Sequence, residues 1–201
     1  IKSNVDKETG NRILAYGYAG VKVDEDYKRE YPYDDLASKV LGFTGGDNQG
    51  IIGLETVYDD YLQGQDGTIL TTTDARGVEV DNIGEERIEP VAGNNLRLSL
   101  DANIQLFAAQ AAEKAYLQKD ADSVSILVMN PKDGQMFAMV DYPEFNLNQP
   151  FELTEEYREY AGTEEEQDYL NQMWRNHCIN DTYEPGSTFK TASIMVALED
   201  G

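Results

Sequence analysis

The chain is poor in the residues that build metal sites and staples. A single cysteine, Cys178, among 201 residues excludes an internal disulfide. His177, beside it, is the sole histidine. Zinc sites usually need three or four protein ligands, so the pair argues against a metal rather than for one. Basic residues are also scarce, 16 against 38 acidic ones, giving a net charge of −22. Nucleic-acid binding needs clustered Lys and Arg to neutralise phosphates, and this balance excludes it. The same charge disfavours anionic membrane surfaces and is read as solubility and habitat. No run of about 18 apolar residues could span a bilayer, and no basic start followed by a short apolar run marks a signal peptide. The glycine-rich run 42–53 lacks both the GxGxxG order and a Gly-Lys-Ser/Thr ending, so it does not cradle phosphate.

What is present lies near the end of the chain. Ser187 and Lys190, in Thr182-Tyr183-Glu184-Pro185-Gly186-Ser187-Thr188-Phe189-Lys190, form the only Ser-x-x-Lys spacing. On a helix the amine shares a face with the hydroxyl one turn away and can take its proton if it is neutral. Pro185 and Gly186 predict a turn just before the serine, leaving helix N–H groups and the positive dipole end beside it. That arrangement suits acyl transfer. The spacing alone reads first as the start of an exposed helix, with Ser as cap and Lys in solvent.

Organisation changes near Pro90. Before it, Leu36 to Phe43 is a short apolar stretch, and Leu54, Val57, Tyr58, Tyr61 and Leu62 share one helical face. Thr68 to Thr73 reads as a strand, Asp74 to Gly77 as a turn, and Val78 to Val80 as a returning strand. After it, Leu96 to Leu100 alternates like a strand and Asp101 caps a helix. Ile104, Phe107, Ala108, Ala111 and Ala115 give that helix its face, through about Gln118. Ser123 to Met129 and Met136 to Val140 flank a turn carrying Asp133-Gly134, and their nearly continuous apolar residues predict strands covered on both faces. Glu164, Glu165 and Glu166 are adjacent and cannot converge on one point, so they read as a solvated face. The last helix, Ser187 to about Leu198, is apolar nearly all round and calls for burial between layers.

Three segments carry a resemblance. Residues 175–201 (RNHCINDTYEPGSTFKTASIMVALEDG) resemble the nucleophile segment of class B penicillin-binding proteins, the monofunctional peptidoglycan D,D-transpeptidases. Arg29-Glu30-Tyr31-Pro32 resembles the family's Arg-x-Tyr-Pro element, and Gly50, Gly53, Glu55, Asp59, Leu62 and Gly64 resemble its Gly-x-x-Gly-x-Glu-x-x-x-Asp-x-x-Leu-x-Gly element. Where the family often has glycine two places after the proline, this chain has Asp34, so a turn there is expected to be built differently. The family's Ser-x-Asn and Lys-Thr/Ser-Gly companions do not occur in the 201 residues.

The resemblance implies an α+β chain: a β-rich pedestal, of the dimerisation type, over residues 1–90, then an incomplete α/β/α transpeptidase domain over residues 91–201. It implies Ser187 as nucleophile and Lys190 as proton acceptor, with no cofactor and no metal. The longer protein is expected to cross-link stem peptides through an acyl-serine and to bind β-lactams, whereas this piece is expected to be inactive. It is further expected to sit on the extracytoplasmic side of a bacterial membrane, to meet cell-wall synthesis or division proteins through the pedestal, and to offer a sheet edge to a second copy. A related serine β-lactamase or penicillin sensor would use the same pair, and a non-catalytic pedestal module would use neither.

Overall fold

The computed structural model describes residues 5–18, 20–23, 28–70 and 86–200. Among the described residues its first half holds four helices: α1 (Lys7–Ala15), α2 (Ser38–Leu41), α3 (Gly53–Val57) and α4 (Asp59–Leu62). A two-stranded antiparallel ribbon follows, β1 (Thr68–Leu70) with β2 (Glu86–Ile88). The strand expected over 68–73 is present from Thr68 to Leu70, and its residues 71–73 lie outside the described residues. The turn expected at 74–77 and the return at 78–80 lie outside the described residues. The single helical face expected from Leu54 to Leu62 is split at Tyr58, whose φ of −112° breaks the helix into α3 and α4.

Asp34 occupies the left-handed region, with φ of 49°. Glycine enters that region freely, but other residues need compensation. Asp34 receives it from Asn148, whose side-chain amide donates to Oδ1 at 2.9 Å, and from Leu147, whose N–H donates to the Asp34 carbonyl at 2.9 Å. The turn is thus of the kind a glycine would make, with a carboxylate holding it.

The second half is built on α5 (Ala102–Lys119) and an antiparallel hairpin of β3 (Val124–Met129) and β4 (Met136–Tyr142). Asp101 caps α5 by accepting from the N–H groups of Asn103 and Ile104. Gly134 supplies the positive φ, 77°, that the hairpin turn requires. Leu96 to Leu100 does not form a strand: the Ser99 hydroxyl, rather than a backbone N–H, donates to the Met136 carbonyl, displacing the regular ladder. The expected double covering also fails on β3, where alternate residues are exposed and Leu127 and Met129 are 52% and 56% accessible. Helix α5 covers the other face, and it meets the hairpin through small residues, Ala108 and Ala112 against Ala138 and Val140. Phe107, expected on that face, is 71% exposed, because a ring would hold the helix away from the sheet.

Gln105 makes the close approach specific. Its buried amide donates to the Met139 carbonyl and accepts from the Met139 N–H, both at 2.8 Å. Gln105→Leu keeps the volume and orphans both backbone groups, so it is expected to cost about 2 kcal/mol in urea unfolding.

Beyond β4 the chain passes through a 3₁₀ segment (Glu155–Tyr160), α6 (Glu166–Trp174) and α7 (His177–Asn180). A larger core forms here, of Phe43, Phe145, Leu147, Leu170, Met173 and Trp174. Phe43 comes from the first half and the others from the second, so this cluster is the hydrophobic seam between them. Glu164 and Glu165 lie on the exposed surface, as expected, whereas Glu166 is half-buried and accepts from the Gly162 N–H at 2.8 Å.

Candidate active site

Ser187 sits in a 3₁₀ turn (Gly186–Phe189), and Lys190 is the first residue of α8 (Lys190–Glu199). The helix expected to begin at the serine therefore begins with a tighter turn. Gly186 enters it with φ of 54°, and the Thr188 N–H and hydroxyl both fold back on the Pro185 carbonyl. The Lys190 N–H then donates to the Ser187 carbonyl. Side chains three residues apart eclipse one another on a 3₁₀ turn, so hydroxyl and amine leave the backbone on the same side. Both are exposed, and no hydrogen bond joins them among the described residues.

Helix α8 is exposed along its length. Phe189, Ile194, Met195, Val196 and Leu198 are each at least 59% accessible, and the helix packs appreciably only against its own leading turn. The burial that its apolar surface calls for does not come from the described residues.

The segment before the serine is held firmly. Asn176 caps α7 by accepting from the Cys178 N–H at 3.0 Å, and its amide donates to the Lys39 carbonyl at 3.3 Å. His177 places its backbone N–H and ring Nδ1 at 2.8 and 2.9 Å from Asp141 Oδ2. Arg175 grips Asp181 through Nε at 2.7 Å and through a second guanidinium nitrogen, holding that carboxyl below its usual range. Burial pushes the Cys178 thiol up, and it faces the Val140 carbonyl at 3.5 Å as a packed, protonated group. Among the described residues no cluster of three or more His, Cys, Asp or Glu could hold a metal ion.

The two N-terminal elements meet at one carboxylate. Glu55 pairs with Arg29 at 2.8 Å and accepts from the Tyr31 hydroxyl at 3.3 Å. Burial, followed by that carboxylate, raises the Tyr31 hydroxyl to about 12, so it remains a donor. Asp59 accepts from the Gly50 N–H at 2.8 Å. Gly53, with φ of 65°, lets its strand of backbone lie against Gly42, where a Cβ would stand 2.6 Å from the Gly42 nitrogen.

Sequence reasoning did not find the charges along the seam. Lys39, Asp141, Glu144 and Ser38 were not singled out, and His177 was weighed only as a ligand. A signal existed: Lys39 interrupts the apolar stretch 36–43, and Asp141 interrupts an apolar strand. Opposite charges inside two apolar runs suggest a buried pair.

Comparison with known proteins places these parts. Residues 1–98 match the penicillin-binding protein dimerisation domain, and residues 124–201 match the penicillin-binding protein transpeptidase domain. The stage V sporulation protein D of Bacillus subtilis is 33% identical over 98% of this chain and 28% of its own length. The peptidoglycan D,D-transpeptidase FtsI of Escherichia coli K12 is 31% identical over 98% of this chain and 30% of its own length. The chain thus spans about three tenths of the length of these curated relatives. The crystal structure of a peptidoglycan synthetase from Bifidobacterium adolescentis covers 73% of this chain and 27% of its own, with a TM-score of 0.56 at 20% identity, a likeness of fold. Two family domains matched in order, and relatives aligned over nearly its whole length, establish that the chain belongs to the class B penicillin-binding proteins.

Proposed function

We propose that the chain is the N-terminal portion of a peptidoglycan D,D-transpeptidase, with Ser187 as its nucleophile and Lys190 as the proton acceptor. The observation that carries this reading is the eclipsed Ser187–Lys190 pair on a 3₁₀ turn at a helix start, inside the segment that matches the transpeptidase family. Ser187 Oγ attacks the penultimate D-alanyl carbonyl of a stem peptide while its proton passes to Lys190. The tetrahedral intermediate expels terminal D-alanine, which takes a proton as it leaves. An amine from a neighbouring stem then attacks the acyl-serine, forming the cross-link and returning the hydroxyl. The Ser187 N–H is one donor to the oxyanion, and such donors are worth several kcal/mol each. Neither Ser-x-Asn nor Lys-Thr/Ser-Gly occurs in the 201 residues, and the family resemblance implies that the second oxyanion donor accompanies the latter. The chemistry uses no cofactor or metal.

We place the division between pedestal and catalytic portion near Pro90, where composition changes. The protein would act at the extracytoplasmic face of a bacterial membrane, on peptidoglycan and β-lactams, with the pedestal open to cell-wall proteins or a second copy. Among the described residues no helix is long and apolar enough to cross a membrane.

Labelled penicillin tests the reading. Full-length protein should become covalently labelled, and Ser187→Ala should abolish labelling without changing the fold. The 201-residue chain should remain unlabelled. Labelling that survives Ser187→Ala refutes the assignment.

A further inference from the structure

The seam also buries a charged pair. The Lys39 side chain is 4% exposed and that of Asp141 1%. Asp141 Oδ2 is reached by Lys39 Nζ at 3.3 Å from α2, and by both the N–H and ring Nδ1 of His177 from α7. Its Oδ1 takes the Ser125 hydroxyl of β3 at 3.0 Å. A buried carboxylate is tolerated only when its oxygens are this fully served. None of this is used in the acyl-transfer chemistry, so the arrangement calls for another purpose.

The arrangement continues toward the serine. An imidazole that gives its Nδ1 proton to Asp141 has its ring plane and its second nitrogen fixed. That nitrogen, Nε2, lies 3.6 Å from Asp181 Oδ2. Asp181 is also held by Arg175, which binds the Asn180 carbonyl at 3.0 Å as well. Between Asp181 and Ser187 no further hydrogen bond reaches the rest of the fold among the described residues; those at Pro185 are local. The grip on residues 180–181 is therefore the last anchor before the nucleophile turn, and it traces back through His177 and Asp141 to Lys39 of the N-terminal half.

We propose that Lys39 and Asp141 are positioning residues, which act through His177 and Asp181 to set where the Ser187 turn leaves the fold. The proposal rests on Ser187 being the nucleophile. It makes the N-terminal half a determinant of how fast the serine reacts, and not only of where the enzyme sits.

The test uses a swap that removes the charges as a pair, Lys39→Met/Asp141→Leu, because removing either alone strands a buried charge and endangers folding. Ser125, being exposed, can then turn to water. In full-length protein this variant should fold, bind labelled penicillin before reaction with unchanged affinity, and acylate roughly tenfold or more slowly, since small misplacements of a reacting group have effects of that size or larger. In the 201-residue chain, the only imidazole should give ¹⁵N signals of a ring protonated on Nδ1, and the double variant should lose that fixed form. Unchanged acylation in the folded variant overturns the proposal, as does a freely exchanging ring in the wild type. If full-length wild type is never acylated, or Ser187→Ala still is, the nucleophile reading fails and this proposal falls with it.

Discussion

Phe43→Ala is expected to lower the stability of the chain by about 3–5 kcal/mol, the range for losing a fully buried aromatic. Phe43 is 0% exposed, and its ring stands edge-on to Phe145, Phe151 and Trp174 at centroid distances of 6.1, 5.4 and 5.1 Å. Edge-to-face contacts add about 0.5–1.5 kcal/mol each beyond burial. The site cannot collapse readily, because Trp174 is fixed by a 2.8 Å bond from its indole N–H to the Pro150 carbonyl. Trp174 is the only tryptophan, so urea unfolding followed by its fluorescence reads the event at the site itself. Phe107→Ala, removing an exposed ring, serves as the contrast and should stay within about 0.5 kcal/mol of wild type. A loss below about 1 kcal/mol for Phe43→Ala would mean that the two halves do not share this core.

Glu144 should make stability fall as pH rises through neutrality. Burial is the main cause that lifts its carboxyl from 4.5 to about 7; Asp35 adds to the rise, while the Ser38 hydroxyl and N–H and the Lys39 charge pull it down. The Ser38 groups both donate to the same oxygen, Oε2. Because the folded value lies above the unfolded one, the folded state holds this proton more tightly. The contribution is fully present below about 4.5 and is lost as pH climbs through about 7. The difference corresponds to about 3 kcal/mol. Glu144→Gln keeps a neutral acceptor for Ser38 and should flatten that decline. Asp181 works with the opposite sign but in a separate window, its lowered carboxyl losing its support only as pH falls below the ordinary 3.8. Urea midpoints measured from about pH 4 to about pH 8 check the point. Parallel slopes for wild type and Glu144→Gln would remove Glu144 as the cause.

What sequence could disclose was local. Asp101 before an apolar-periodic run marks a helix cap, and Asp133-Gly134 between apolar runs marks a hairpin, because each signal acts within a few residues. The face of α5 was misjudged because periodicity favours large apolar residues, whereas the contact is made by Ala108, Ala112 and the amide of Gln105. The strand β3 looked covered on both sides because Leu127 and Met129 are apolar, and composition does not say what lies opposite them. The spacing of Ser187 and Lys190 was legible, while the shape of their turn was not, since a 3₁₀ start depends on where Gly186 sends the backbone. The two N-terminal elements were recognisable, yet their meeting at Glu55 joins residues 24 and 26 apart and had no signature.

The seam's bonds span long stretches of chain: Ser38 to Glu144 across 106 positions, and Asn176 to Lys39 across 137. Closing such loops costs entropy before any contact repays it. Helix α5 and its hairpin, being neighbours in sequence, can assemble early and alone. The clasp between the halves can close only once Asn176 has emerged, after α5 and its hairpin are already made. Until then Phe43 and the Lys39 charge await partners not yet made, and the ribosome's pace, rather than the finished fold, governs that interval.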